Sequence, residues 1–164
     1  MTGGRAILVG YDDGHPARAA LRWAAEEAQL RSVGLIVAYV SSPGWELELA
    51  ALQINPDPIR RDLEQQLRGS WIEAVRMLDV PCETRFVYGQ PGPVLVELAD
   101  AEDVACIAVG VNRHTRLHER VLGSVGIYLV HHAGCPVVQV PAGAPHDGVG
   151  LTYRNREAHR SRSR

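Results

Sequence analysis

The stretch Ala6-Ile-Leu-Val-Gly-Tyr-Asp-Asp-Gly-His-Pro-Ala17 decides the fold. An apolar run ends on a glycine, a short polar turn follows, and a proline opens a new segment. A near-continuous apolar run, rather than an alternating one, marks a strand covered on both faces, as in a parallel sheet. Past the turn the period changes. Ala17, Ala20, Leu21, Ala24, Ala25 and Ala28 fall at i, i+3, i+4, i+7, i+8 and i+11, which is one face of a helix. Pro16 suits the first helical turn, where its missing N–H costs nothing. The inward face is almost all alanine, so this helix can lie close to the sheet.

Working outward, the same alternation recurs. Apolar runs predict strands over Leu35–Val40, Ala105–Gly110 and Val137–Val140, with a weaker one over Glu83–Tyr88. Asp57-Pro58 opens a second helix with Ile59, Leu63, Leu67, Ser70, Ala74 and Leu78 along one side. Pro91-Gly-Pro93 opens a third, with Val94, Leu95, Leu98 and Ala99 apolar. Gly123-Ser124 opens a fourth, with Val125 and Leu129 inward, ending near Gly134. Ser41–Pro56 reads as a long connection. The order β-α-β-loop-α-β-α-β-loop-α-β argues for a single three-layer α/β/α domain with right-handed crossovers. The domain is expected over residues 1–141, and residues 142–164 read as a disordered Arg-rich tail.

Composition removes several chemistries. All 17 basic residues of the 164 are Arg, and there is no Lys. A Walker-type phosphate loop and Schiff-base catalysis both need a lysine, which Arg cannot replace as a nucleophile. Residues 1–141 hold 12 Arg against 17 acids, and the tail holds 5 against 2. Cys82, Cys106 and Cys135 are odd in number and lack C-x-x-C spacing. They read as small buried thiols in a reducing, cytoplasmic setting. The N-terminus shows no secretory pattern, and no apolar run approaches the ~20 residues that span a bilayer.

In an open α/β sheet, ligands sit beyond the carboxyl ends of the strands, where strand order reverses. Two loops qualify. One is Gly10-Tyr-Asp-Asp-Gly14. The other, Gly110 to Ser124, holds Arg113, His114, Arg116, His118 and Arg120 with Glu119 as its single acid, and runs into Gly123-Ser124 at a helix N-terminus. Backbone N–H groups there attract anions, so a phosphate ligand follows. Competing motifs fail. A dinucleotide fingerprint needs G-x-G-x-x-G, but Gly10 and Gly14 are the sole glycines of the first loop, and Ser41-Ser42 stands in place of the ribose-binding acid. Asp12-Asp13 is similar to a phospho-acceptor receiver, but Tyr88-Gly89 ends the third strand and the lysine is missing. Gly123-Ser124-Val125-Gly126 has its serine in the wrong slot for a nucleophile elbow. His131 and His132 are adjacent, point about 100° apart on a helix and do not chelate one ion. No metal site and no catalytic residue are expected. Asp12 and Asp13 read as helix caps. Trp23 and Trp71 read as helix packing residues, and Trp45 as a lid over the pocket.

Four segments together resemble the universal stress protein family along residues 5–141. They are Ile7-Leu-Val-Gly-Tyr-Asp12 before an Ala-rich helix, Gly89-Gln-Pro91, Gly110 through Gly123-Ser124-Val125, and His132-Ala-Gly-Cys-Pro-Val-Val-Gln-Val140. The resemblance implies a five-stranded parallel sheet in the order 3-2-1-4-5, of the adenine-nucleotide α-hydrolase-like kind. It implies a non-catalytic stress-response regulator that binds ATP or another adenine nucleotide, with Mg an optional companion. The implied binding residues are Tyr11, Asp12, Val40, Val109, Gly110, Arg113, Gly123, Ser124 and Val125. The resemblance further implies a homodimer through the last strand, Pro136, Val137, Val138, Gln139 and Val140. Pairing there also has a physical reason, since an apolar edge strand needs cover. The family's nucleotide motif is Gly-x-x-Gly-x9-Gly-Ser/Thr. Here Arg113 replaces the second glycine, and Gly126 stands where Ser, Thr or Ala is usual. Two readings stay open: a nucleotide-binding regulator, and a dimer with a degenerate pocket that acts through protein–protein contact.

Overall fold

The computed structural model describes residues 5–111 and 124–142. The elements are β1 (Ile7–Gly10), α1 (His15–Arg31), β2 (Leu35–Ser41), α2 (Pro43–Ala51), α3 (Asp57–Arg68), α4 (Glu73–Arg76), β3 (Cys82–Tyr88), α5 (Pro91–Ala101), β4 (Cys106–Val111), α6 (Ser124–His132) and β5 (Val137–Pro141). The five strands form one parallel sheet in the order β3-β2-β1-β4-β5. This is the expected fold and strand order.

Alternation along the strands divides the core into two layers. Ile7, Val9, Leu35, Val37, Cys106 and Ala108 face α1 and the α3–α4 region. Leu8, Ile36, Ala38, Ile107 and Val109 face α5 and α6, where they meet Leu95, Ala99 and Leu129. A slip of one residue would exchange the two sets, so the register of β1, β2 and β4 is fixed by packing on both sides. All six alanine-face positions of α1 named above are buried.

The alanine face lets α1 begin directly on β4. A Cβ placed on Gly110 would overlap the Pro16 carbonyl group and lie 2.5 Å from the Ala17 nitrogen. Backbone thus occupies the space where a side chain at 110 would go.

Three expectations need correcting. The connection after β2 is not structureless, because α2 forms within it, with Pro43 in its first turn. Helical periodicity could not reveal α2, since Leu47 on it and Leu52 just past its end are exposed rather than packed along a core-facing stripe. It is tied down by charge: Arg60 of α3 pairs with Glu46 at 3.2 Å and with Asp57 at 2.9 Å, and lies over the Tyr88 ring. The helix expected from Asp57 to Leu78 is likewise not continuous. It breaks at Gly69 (φ −115°, ψ −106°), makes a 3-10 turn over Ser70–Ile72, and resumes as α4. The break buries Ile72 and Val75 and brings Trp71 against Tyr11 and Tyr39. Trp71 is therefore a packing residue on the 3-10 turn rather than on a helix, while Trp23 packs on α1 as read. Finally, Asp12 and Asp13 do not cap α1. Gly14 is the N-cap residue and makes no side-chain capping bond.

Candidate functional site

A cavity of about 320 Å³ opens at the carboxyl ends of β1 and β4, where the strand order reverses. That volume lies at the lower end of the roughly 300–1,000 Å³ usual for small-molecule sites. Ala38 and Val40 of β2, Leu95 of α5 and Val109 of β4 supply apolar walls. Asp12 and Gly14 lie at one side, and Gly110, Ser124, Val125 and Gly126 at another. The fold thus gathers Tyr11, Asp12, Val40, Val109, Gly110, Ser124 and Val125 around one space. Arg113 and Gly123, with the other basic residues of that loop, lie outside the described residues, as does the side chain of Trp45.

The loop after β1 is built on two carboxylates that turn opposite ways. Asp12 Oδ1 accepts the Gly14 N–H at 2.9 Å, closing a tight turn at the cavity. Asp13 stands in the left-handed region at φ 60°, which Asp tolerates better than most residues. Its Oδ1 accepts the Tyr11 hydroxyl at 3.0 Å and the Arg18 guanidinium at 2.9 and 3.0 Å. Tyr11 touches the cavity, but its ring sits on the far side of the sheet, 5.5 Å from Trp71.

Burial, reinforced by the Asp13 carboxylate, pushes the Tyr11 phenol from its ordinary value of 10.0 up to about 12. The folded chain therefore keeps that proton at a pH where the unfolded chain has released it. The resulting stability is complete below pH 10 and is lost as pH rises from 10 toward 12. Urea unfolding across that window should show wild type losing stability relative to Tyr11→Phe; parallel curves would refute this account.

Gly126 has a local explanation. A Cβ there would meet the Gln139 side-chain amide at 3.1–3.3 Å. Gln139 of β5 fills the space a larger residue would use, and its Oε1 is buried with no hydrogen-bond partner among the described residues. Ser124, the first residue of α6, is exposed at the cavity mouth.

No group of three or more His, Cys, Asp or Glu able to hold a metal occurs among the described residues. The three cysteines are free. Cys106 is buried as read, while Cys82 and Cys135 are half-buried. Burial raises all three thiols, Cys82 to about 11, which keeps them protonated and unreactive. No described helix is long and apolar enough to cross a membrane.

The fold and cavity define an open, Rossmann-like α/β domain with a cavity at the topological switch point. The sequence matches the family model described as "Universal stress protein family" over residues 4–141. A universal stress protein of Mycobacterium tuberculosis is 37% identical over 139 residues, which cover 81% of this chain and 47% of the relative. The chain belongs to the universal stress protein family. It spans about half the length of the curated relatives it matches at 30–37% identity. Two solved structures share the fold. The Archaeoglobus fulgidus universal stress protein in complex with dAMP has a TM-score of 0.63 at 21% identity, covering 85% of this chain and 99% of that one. A universal stress protein in complex with cAMP has a TM-score of 0.63 at 24% identity, covering 85% and 98%.

Proposed function

We propose that this chain is a non-catalytic stress-response regulator that binds an adenine nucleotide, ATP or a relative of it, in the cavity between β1 and β4. The carrying observation is the convergence of Asp12, Val40, Gly110 and Ser124, from four separate stretches of sequence, on one space of ligand size. Proteins of the same fold are found with dAMP and cAMP. In this reading the purine lies between the apolar side chains of Val40, Leu95 and Val109. Asp12 uses one oxygen on the Gly14 N–H, which leaves the other for a ribose hydroxyl or the adenine amino group. The phosphates meet the first turn of α6 and the Ser124 hydroxyl. A helix N-terminus favours an anion by about 0.3–1 kcal/mol when exposed, and up to ~2 kcal/mol when partly buried.

The test is calorimetric titration of the full chain with ATP, AMP and cyclic AMP, with and without Mg, plus mass spectrometry for co-purified nucleotide. At least one nucleotide should bind with Kd below ~1 mM; no heat from any of them would overturn the reading. The same proposal includes a homodimer through Pro136–Val140. Its support is that β5 lies at the sheet edge, with Val137, Val138 and Gln139 only half-buried. Sedimentation should give a dimer, and a monomer at ~100 μM would refute it. The folded unit is proposed to end near residue 141, so removal of residues 142–164 should leave nucleotide affinity unchanged.

A further inference from the structure

A second cavity, of about 500 Å³, lies on the opposite face of the sheet. It sits between α1 and the segment that runs from the end of α3 through the 3-10 turn into α4. Its floor is apolar, with Leu21 and Val75 almost fully buried. Trp71 stands in one wall and belongs to an aromatic row, 5.5 Å from Tyr11 and 5.7 Å from Tyr39, with Tyr39 stacked at 5.1 Å on Phe86.

The charges in this cavity are unequal. Arg18 and Arg22, one turn apart on α1, both line it, and Asp13 is the lining acid. Arg18 is already engaged by Asp13. Arg22 makes no hydrogen bond or ion pair with any described residue. The lining therefore carries one uncompensated positive charge beside an apolar, partly aromatic floor. A neutral apolar ligand would desolvate Arg22 and Ser70 without giving them an acceptor. A phosphate dianion would exceed the available charge and face the Asp13 carboxylate. The occupant that satisfies both halves is a flat apolar body with a single anionic group, since guanidinium pairs with carboxylate through parallel hydrogen bonds.

We propose that this cavity is a binding site for a small aromatic carboxylate, with its ring against Trp71 and its carboxylate on the Arg22 guanidinium. The site lies across the sheet from the nucleotide cavity and shares only Tyr11 with it among the described residues, and the two readings fail independently.

The probe is 2-naphthoate, titrated into the full-length protein by calorimetry and tryptophan fluorescence, with 2-naphthamide as its uncharged counterpart. Saturable binding is expected, weakened about tenfold or more both by the amide and by Arg22→Gln. Arg22 is exposed, so its replacement does not endanger the fold. Val40→Trp, which blocks the nucleotide cavity, should leave naphthoate binding intact. Failure to saturate by ~10 mM would overturn the proposal. So would equal binding of acid and amide, indifference to Arg22→Gln, or loss of binding in Val40→Trp, which would place the probe in the nucleotide cavity.

Discussion

Gly110→Ala should destabilise the protein by about 3 kcal/mol or more, at or beyond the upper end of ordinary overpacking. The added methyl would coincide with the backbone of Pro16 and Ala17. No rotamer change can relieve that conflict, because neither partner is a side chain. Either α1 moves off β4 or the strand bends, and each route disrupts the alanine face that packs against the sheet. Urea unfolding measures the cost, and nucleotide binding should disappear with it, because Pro16 and Ala17 also line the cavity. Gly126→Ala is the internal control. Its methyl would meet the tip of Gln139 at 3.1–3.3 Å, a contact that a flexible side chain can relieve by a few tenths of an ångström. Its cost should stay below ~1 kcal/mol. Equal effects at the two glycines would refute the distinction. The distinction also changes how the glycine motif is understood: Gly110 is required by the approach of a helix to a strand, whatever the ligand.

The three central strands were legible because each is covered on both faces, so Ile7–Val9, Leu35–Ala38 and Ile107–Val109 appear as unbroken apolar runs. The α1 face was legible because its partner is a flat sheet that demands one continuous small-residue stripe. The stretch from Ser41 to Leu78 was read less well, for two physical reasons. Among the described residues the ion pair that ties α2 to α3 is Arg60–Glu46, and Leu47 of α2 is exposed rather than part of a buried stripe. The interruption at Gly69 lies inside a plausible helical period, and a single interior glycine costs only about 1 kcal/mol, too little to announce a break. At the site, the residue types were legible but their directions were not. Asp12 and Asp13 are neighbours, yet one faces the cavity and the other bonds Tyr11 and Arg18. That separation depends on the left-handed backbone at Asp13, which sequence spacing does not encode. The second cavity has no signature in the sequence, because it forms only where the 3-10 turn brings Trp71 and Ser70 opposite Arg18 and Arg22 of α1.

Val40→Trp should abolish adenine-nucleotide binding, raising Kd at least ~100-fold, equivalent to about 2.7 kcal/mol. Val40 is half-buried near the end of β2, on the α5 face of the sheet, and lines the nucleotide cavity with Ala38. An indole there enters the space that the proposal assigns to the purine and buries more apolar surface without displacing backbone. Stability should therefore be kept or slightly raised, which separates this variant from Gly110→Ala, where binding and stability fall together because Pro16 and Ala17 are displaced. Val40→Ala leaves the space open and removes one wall contact, so it should weaken binding only about two- to fivefold. Asp12→Ala, which loses both the turn bond to Gly14 and the polar anchor, should fall between them at about tenfold or more. Thermal melts and calorimetry on the three variants supply the ranking. If Val40→Trp bound nucleotide as wild type does, the ligand would have to lie elsewhere, and the apolar walls of Val40, Leu95 and Val109 would have no part in recognising it.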